Sequence, residues 1–279
     1  MSTTLASKID FEVLIAVTNA NPNGDPLSGN RPRTDYDGFG EISDVCIKRK
    51  IRNRMQDLGH AIFVQSDDRC DDGKICLKAR AQELEKIKDA NVFSQTACDK
   101  WLDVRAFGQI FTFAKKSSVG IRGPVSIHLA KSIDPVDIQS MQITKSVSGD
   151  KKEGQIRGSD TMGTKHFVRF GLYAVKGSIN VQLAEKTGFT EEDAETVKEC
   201  LRTLFVNDSS AARPDGSMEV IKLYWWRHNC KDGQYPSARV HRLVNVSHKE
   251  GITEPPSAED YVITLNSLDG LACEEINGL

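Results

Sequence analysis

Residues 10–18, DFEVLIAVT, place Phe11, Val13, Ile15 and Val17 on one side of an extended chain, while Leu14 and Ala16 make the other side partly apolar. A segment apolar on both faces predicts a central strand. Asn, Gly and Pro then dominate NANPNGDPLSGNRPRTDYDGFG (19–40), which predicts a long loop. Loops of this length without regular structure commonly carry function. From residue 44 the apolar period becomes helical, with Ile47, Ile51, Met55 and Leu58 on one face. Ser43 or Asp44 can cap this helix and Gly59 ends it.

Residues 60–117 read as an insertion. They hold an Asp-rich stretch (66–74), a helical stretch near 78–90, and WLDVRAFGQIF (101–111). The Asp-rich stretch lacks the alternating oxygen ligands and central Gly of a calcium loop. Val125, Ile127 and Leu129 predict a strand over 123–133, followed by a polar stretch with four glycines (144–165) and a long strand over 166–181. A helix over 190–205 carries Thr190 and Asp193 in a weak capping box, and MEVIKLYWWRH (218–228) predicts a last strand. With insertions set aside, the order is strand-helix-strand-strand-helix-strand. That is the split βαβ arrangement of ferredoxin-like domains, an α+β fold. No solenoid repeat is visible.

At 279 residues the chain is long enough for one elaborate domain or two. No run approaches the roughly 18 apolar residues of a membrane span, and the first ten residues lack a signal-peptide core, so a cytoplasmic protein without a membrane partner is expected. The seven cysteines include no CxxC pair. They read as reduced thiols, and no metal is expected. The glycine-rich loops match neither a phosphate-binding P-loop nor a dinucleotide fingerprint, and no cofactor is expected.

The net charge of −2 conceals an uneven distribution. Acidic residues gather at 190–199 and 254–275, basic ones at 31–54 and 145–169. DVCIKRKIRNRM (44–55) packs five basic side chains between Lys48 and Arg54. On a helical wheel Lys48, Arg49 and Arg52 form one flank, Lys50 and Arg54 the other. Such runs are ordinarily solvated faces. This one has a single sign, no Glu partner at i,i+4, and a Gly-rich loop with Arg31 and Arg33 before it. A helix N-terminus among such cations suits phosphate.

The polar hairpin at 141–166 carries Lys145, Lys151, Lys152, Arg157, Lys165 and His166. It is either an exposed loop or an arm reaching to nucleic acid or a neighbouring subunit. Tyr224, Trp225 and Trp226 offer a base-stacking platform, though alternation sends at least one into the core. The six histidines form no metal or nucleophile motif. A histidine pair could supply acid and base without a local signature; His228 and His241 are the only pair with Arg and Tyr nearby in sequence (Arg227, Tyr235, Arg239), and a structural role is the better reading of each.

Five stretches carry a resemblance: TNANPNGDP, GNRPRTD, ISDVCIKRKIRNR, DVRAFG and TMGTKHFVRFGLY, spread over residues 18–173. Through them the chain resembles the backbone subunit of the type I-C Cascade surveillance complex, a CRISPR-associated branch of the RAMP superfamily. The resemblance implies a modified RRM-like palm (8–59, 118–133 and 166–230), an inserted fingers subdomain (60–117), a β-hairpin thumb (134–165) and a C-terminal extension (231–279). It implies CRISPR RNA as ligand, copies of the same chain in a helical filament, other Cascade subunits, and target DNA reached through the guide. The RNA-binding residues it implies are Asn19, Asn21, Asn23, Arg31 and Arg33 in the long loop, and Ser43, Lys48, Arg49 and Arg52 on the first helix. In the thumb they are Lys145, Arg157, Met162, Lys165 and His166. No catalytic residue is implied. A guide-holding protein grips phosphates and leaves specificity to base pairing, which agrees with the local charge. Two other readings stay open: a metal-independent endoribonuclease of the same superfamily, and an assembly protein whose basic patches are incidental.

Overall fold

The computed structural model describes residues 3–112, 118–144 and 162–279. In chain order the strands are β1 (Ile9–Ala20), β2 (Gly24–Asp25), β3 (Arg31–Pro32), β4 (Phe39–Ile42), β5 (Gly108–Phe111), β6 (Val119–Arg122), β7 (Val125–Ile127), β8 (Ala130–Pro135), β9 (Ile138–Thr144), β10 (Met162–Ile179), β11 (Met218–Arg227), β12 (Val244–His248), β13 (Tyr261–Leu265) and β14 (Cys273–Asn277). The α-helices are α1 (Asp44–Asp57), α2 (Leu77–Ala81), α3 (Ala90–Lys100), α4 (Leu102–Phe107), α5 (Val181–Thr187), α6 (Glu191–Arg202) and α7 (Ser237–Val240).

The fold is mixed α+β around one large antiparallel sheet, ordered β14-β11-β1-β10-β8-β4, with β7 and β9 also pairing β10. β1 is central because both its faces are apolar and both are covered. Phe11, Val13, Ile15 and Val17 pack against Ile47, Ile51 and Met55 of α1 and against Ala194, Val197 and Leu201 of α6. Leu14 and Ala16 face a second core built with Leu172, Tyr224, Trp226, Val240, Leu243 and Tyr261. Residues beyond 231 supply this second cover, through α7, the β12–β13 hairpin and β14 at the sheet edge. Helices therefore lie on one face and the C-terminal segment on the other, which suits a strand written as a nearly continuous apolar run.

Residues 60–122 form a lobe with its own core, in which Phe63, Phe93, Trp101 and Phe111 meet. Phe63 stands 4.8 Å from Trp101 and 4.9 Å from Phe111, centroid to centroid. The β5–β6 ladder closes the lobe and runs past residue 117 to Arg122.

Several expectations are corrected. The segment 123–133 is two strands, β7 and β8, because the alternation breaks at His128, and Leu129 is exposed. The long strand expected over 166–181 runs from Met162 to Ile179, and α5 starts at Val181, its last expected residue. In the insertion, α2 ends at Ala81, and α3 and α4 form where no helix was assigned. Tyr224, Trp225 and Trp226 are all buried, so they offer no stacking platform. The Thr190–Asp193 capping box is complete, each side chain meeting the other residue's backbone N–H.

Candidate nucleic-acid interface

Four segments meet at one end of the sheet. β1 runs out there into the long loop, β10 enters there from the hairpin with Ala20 opposite Val168, and β11 begins there with Met218 opposite Val17. The first helix joins them through its cap.

Asn19, one residue before the end of β1, takes φ +51° and is exposed. Asn and Asp tolerate this region better than other non-glycine residues. Asn21 is 4% exposed and its Nδ2 donates to Asn30 O at 2.7 Å, holding the loop closed. The Oδ1 of Asn23 accepts from Ser43 N at 2.9 Å and from Ser43 Oγ at 2.8 Å, while Ser43 Oγ accepts from Cys46 N at 3.3 Å. Ser43 is thus the N-cap of α1, and Asn23 orients the cap. Asn21, Asn23 and Ser43, expected to touch RNA, are in the structure the frame that shapes the loop. Arg33 projects from that frame, with Nη2 3.5 Å from Asp25 Oδ1.

The basic run on α1 is largely committed inside the protein. Lys50 is 3% exposed and ion-paired with Asp208. Burial lowers its pKa, while the Asp208 carboxylate opposes that shift. Arg52 donates from Nε to Asp103 Oδ2 at 2.9 Å, and its guanidinium lies 5.0 Å from the Phe107 ring centroid. Arg54 donates to Thr203 Oγ1 at 2.8 Å. Arg49 donates to the Val64 carbonyl at 2.7 Å. Lys48 has an i,i+4 carboxylate after all: Asp44, at 2.9 Å. That pair is partly exposed, and such pairs are weak, so a phosphate can displace Asp44. Of the flank Lys48, Arg49 and Arg52, Arg52 is the one whose charge is matched by an acid buried to 1% exposure.

At the hairpin base β9 pairs with β10 in the register Met162↔Thr144, Lys165↔Met141 and His166↔Ser140. Arg31 Nη1 donates to Ser140 Oγ at 3.0 Å, and Ser140 Oγ stands 2.8 Å from His166 Nδ1. Ser140 Oγ therefore bridges the Arg31 guanidinium and the His166 ring. Arg31 of the loop and His166 of the hairpin are brought together in this way. Lys165 is half-buried one position before His166. Met162 is 66% exposed and its Sδ accepts from Gln142 Nε2 at 3.1 Å, with exposed Met141 and Ile143 on the same hairpin. Lys145 and Arg157 lie outside the described residues.

Sequence reasoning missed the joint formed by DVRAFG. Asp103 accepts from Phe63 N at 2.7 Å, Val64 N at 3.1 Å and Arg52, stitching the lobe to α1. Arg105 makes a two-pronged pair with Asp193 of α6 at 2.7 and 2.8 Å. Gly108 adopts φ +78°, and a Cβ there would sit 2.2 Å from Ile121 O. No local period announces partners this distant. His228 and His241 are 2% and 4% exposed; His228 Nε2 stands 2.8 Å from Asp10 Oδ2, and His241 Nε2 3.0 Å from Gly177 O. Both are packed inside, away from any polymeric substrate.

The fold and this end of the sheet define a class: an α+β protein with a central antiparallel sheet, an inserted lobe, and a polar, cation-bearing loop held against the base of a projecting hairpin. The chain belongs to the family described as CRISPR-associated protein Cas7, which matches residues 7–266. A CRISPR-associated protein Cas7 of Haloferax volcanii is 28% identical over 275 residues, covering 90% of this chain and 78% of the relative. A chain of a solved structure titled CRISPR RNA-guided surveillance complex shares the fold, with a TM-score of 0.50 at 18% identity, over 88% of this chain and 78% of that one.

Proposed function

We propose that the protein is a backbone subunit of a type I-C Cascade surveillance complex, binding CRISPR RNA without cutting it. Copies assemble along the spacer in a helical filament with other Cascade subunits and present the guide to target DNA in the cytoplasm. Family membership supports the assignment, and the contact that carries the RNA-binding reading is Arg31–Ser140–His166, which joins the loop to the hairpin in one polar ridge. An RRM-like palm is supported by the strand order β11-β1-β10-β8 with α1 and α6 on one face. The separate aromatic core supports a fingers subdomain, and the β9–β10 hairpin supports a thumb.

In this reading Asn19, Arg31, Arg33, Lys48, Arg49, Met162, Lys165 and His166 face the RNA, joined by Lys145 and Arg157 of the thumb. Asn21, Asn23, Ser43 and Arg52 position them. No helix among the described residues is long and apolar enough to cross a membrane.

The test is salt-dependent binding of labelled spacer RNA by the purified protein, followed by resolution of the RNA on a sequencing gel. Arg31→Ala/Lys165→Ala should reduce the magnitude of the log K versus log salt slope by about 1.4, from roughly 0.7 per single-strand phosphate contact. An unchanged slope would remove both residues from the interface. Discrete cleavage of repeat-containing RNA would replace the scaffold reading with an endoribonuclease.

A further inference from the structure

The loop at 207–217 is fastened to the same end of the sheet by contacts from three elements. Thr18 N donates to Ser217 O at 2.8 Å and Asn21 N to Ala212 O at 2.9 Å. Arg69 Nη2 donates to Asn207 O at 2.8 Å, and Lys50 is ion-paired with Asp208. A tight turn holds Arg213 at the inner side of this loop, with Ser210 N on Arg213 O at 2.8 Å and Arg213 N on Ser210 O at 3.1 Å.

Arg213 is loosely satisfied for a residue held so firmly. Its Nη1 meets Asn21 O at 3.4 Å and its Nε lies 3.6 Å from Asp208 Oδ2, a carboxylate already taken by Lys50. Arg33 is in the same condition, 3.5 Å from Asp25. The Nε atoms of both guanidiniums lack a hydrogen-bond partner. Both arginines lie against one short stretch of chain: Arg33 N donates to Asn23 O at 3.0 Å and Arg213 Nη1 to Asn21 O at 3.4 Å, while Cys46 Sγ of α1 meets the intervening Pro22 O at 3.7 Å. In keeping with this, burial pushes the Cys46 thiol pKa up and Asp208 adds to that, while Lys50, Arg213 and Arg33 pull it down. The carboxylates beside the two guanidiniums are Asp25 for Arg33 and Asp208 for Arg213, the latter shared with Lys50. Each guanidinium has five N–H donors. A pair engaged only through contacts of 3.4–3.6 Å is under-used in a way that one anion with several acceptor oxygens would correct. The side chains remain 38% (Arg33) and 28% (Arg213) exposed, so such a ligand can reach them.

We infer that Arg213 and Arg33 form a two-arginine clamp on a single backbone phosphate of the bound RNA, with Lys50 and Arg69 holding the 207–217 loop in position. The inference rests on the RNA-binding reading and adds to it a segment that no residue expectation included.

The experiment uses the full chain and a synthetic single-stranded RNA of spacer length, titrated across a salt series with the wild type, R33A, R213A, R213K and R33A/R213A. Because the two arginines share one phosphate, the double variant should reduce the slope magnitude by about 0.7, not the 1.4 expected of two separate contacts. R213K keeps the charge, so it should keep the slope while losing affinity several-fold with the two-pronged geometry. Melting each variant without RNA separates folding from binding, and if R213A does not fold, the R33A and R213K arms decide. A wild-type slope in the double variant overturns the clamp, as does a drop of about 1.4 or wild-type affinity in R213K. A wild-type protein with no RNA affinity would instead overturn the underlying reading.

Discussion

Removing the Asp103 carboxylate should unseat the inserted lobe. Asp103 is 1% exposed and accepts from Phe63 N, Val64 N and Arg52 Nε at 2.7, 3.1 and 2.9 Å. Asp103→Ala leaves a nearly buried guanidinium without its counter-charge, which costs about 3–5 kcal/mol. It also orphans two backbone amides, at about 1–3 kcal/mol each where water cannot replace the acceptor. These terms overlap, because the lobe can relax and admit water, so the expected loss is about 4 kcal/mol. That is a large part of the roughly 5–15 kcal/mol a domain possesses. Urea unfolding followed by tryptophan fluorescence reads the loss, and Trp101, 2% exposed and two residues away, is a local reporter. Arg52→Met preserves the packing on Phe107 and removes the charge. The cycle of Arg52→Met with Asp103→Asn should therefore give a coupling energy of roughly 1–3 kcal/mol. Arg52→Met should also leave the RNA salt slope unchanged. A loss below about 1 kcal/mol in Asp103→Ala, or no coupling in the cycle, would refute the assignment of Arg52 and Asp103 as one structural unit.

Two further outcomes test other parts of the fold. Burial pushes the Glu12 pKa up from 4.5 to about 7, opposed by Lys176 at 3.8 Å. The folded state then binds the extra proton between those values, so Glu12 makes stability fall as pH rises from about 4.5 through 7, by at most about 3 kcal/mol. Glu12→Gln should remove that slope from denaturation midpoints measured across the range; midpoints that still track the wild type would show the slope comes from another group. Gly108→Ala sets a Cβ 2.2 Å from Ile121 O at φ +78°, and should cost about 2–3 kcal/mol in urea unfolding; a near-neutral result would mean the β5–β6 ladder yields easily there.

Much of the sheet was legible because its signals are local. β1 announces its central place through Phe11, Val13, Leu14 and Ile15, and α6 through Thr190 and Asp193. What escaped notice depended on partners far along the chain. Lys50 reads as one more surface cation until Asp208 closes over it, 158 residues later. Arg52 belongs to Asp103, 51 residues on. Tyr224, Trp225 and Trp226 looked half-free because strand alternation exposes one face, yet the segment beyond residue 231 covers that face. The short helices α3 and α4 are set by the aromatic core around Phe111, and their few turns hold too little period to be read alone. At the candidate interface, types and positions were legible, but roles were not. Asn23 and Ser43 look alike in sequence whether they hold a ligand or a loop.

The 18 residues of β10 have a mechanical consequence. From Val168 to Ile179 the strand is clamped on one side by β1 along nearly its whole length, while from Met162 to Phe167 it is paired with β9 alone. It is a single uninterrupted beam of roughly 55–60 Å at about 3.3 Å per residue, anchored at one end and overhanging at the other. A cantilever of this kind has no hinge at its root. The direction of the overhang is fixed by the twist of the anchored half, so any force on the hairpin is delivered straight into the central strand pair. Changes deep in the core at Tyr173 or Val175 would therefore re-aim the hairpin, although they lie several residues from its base.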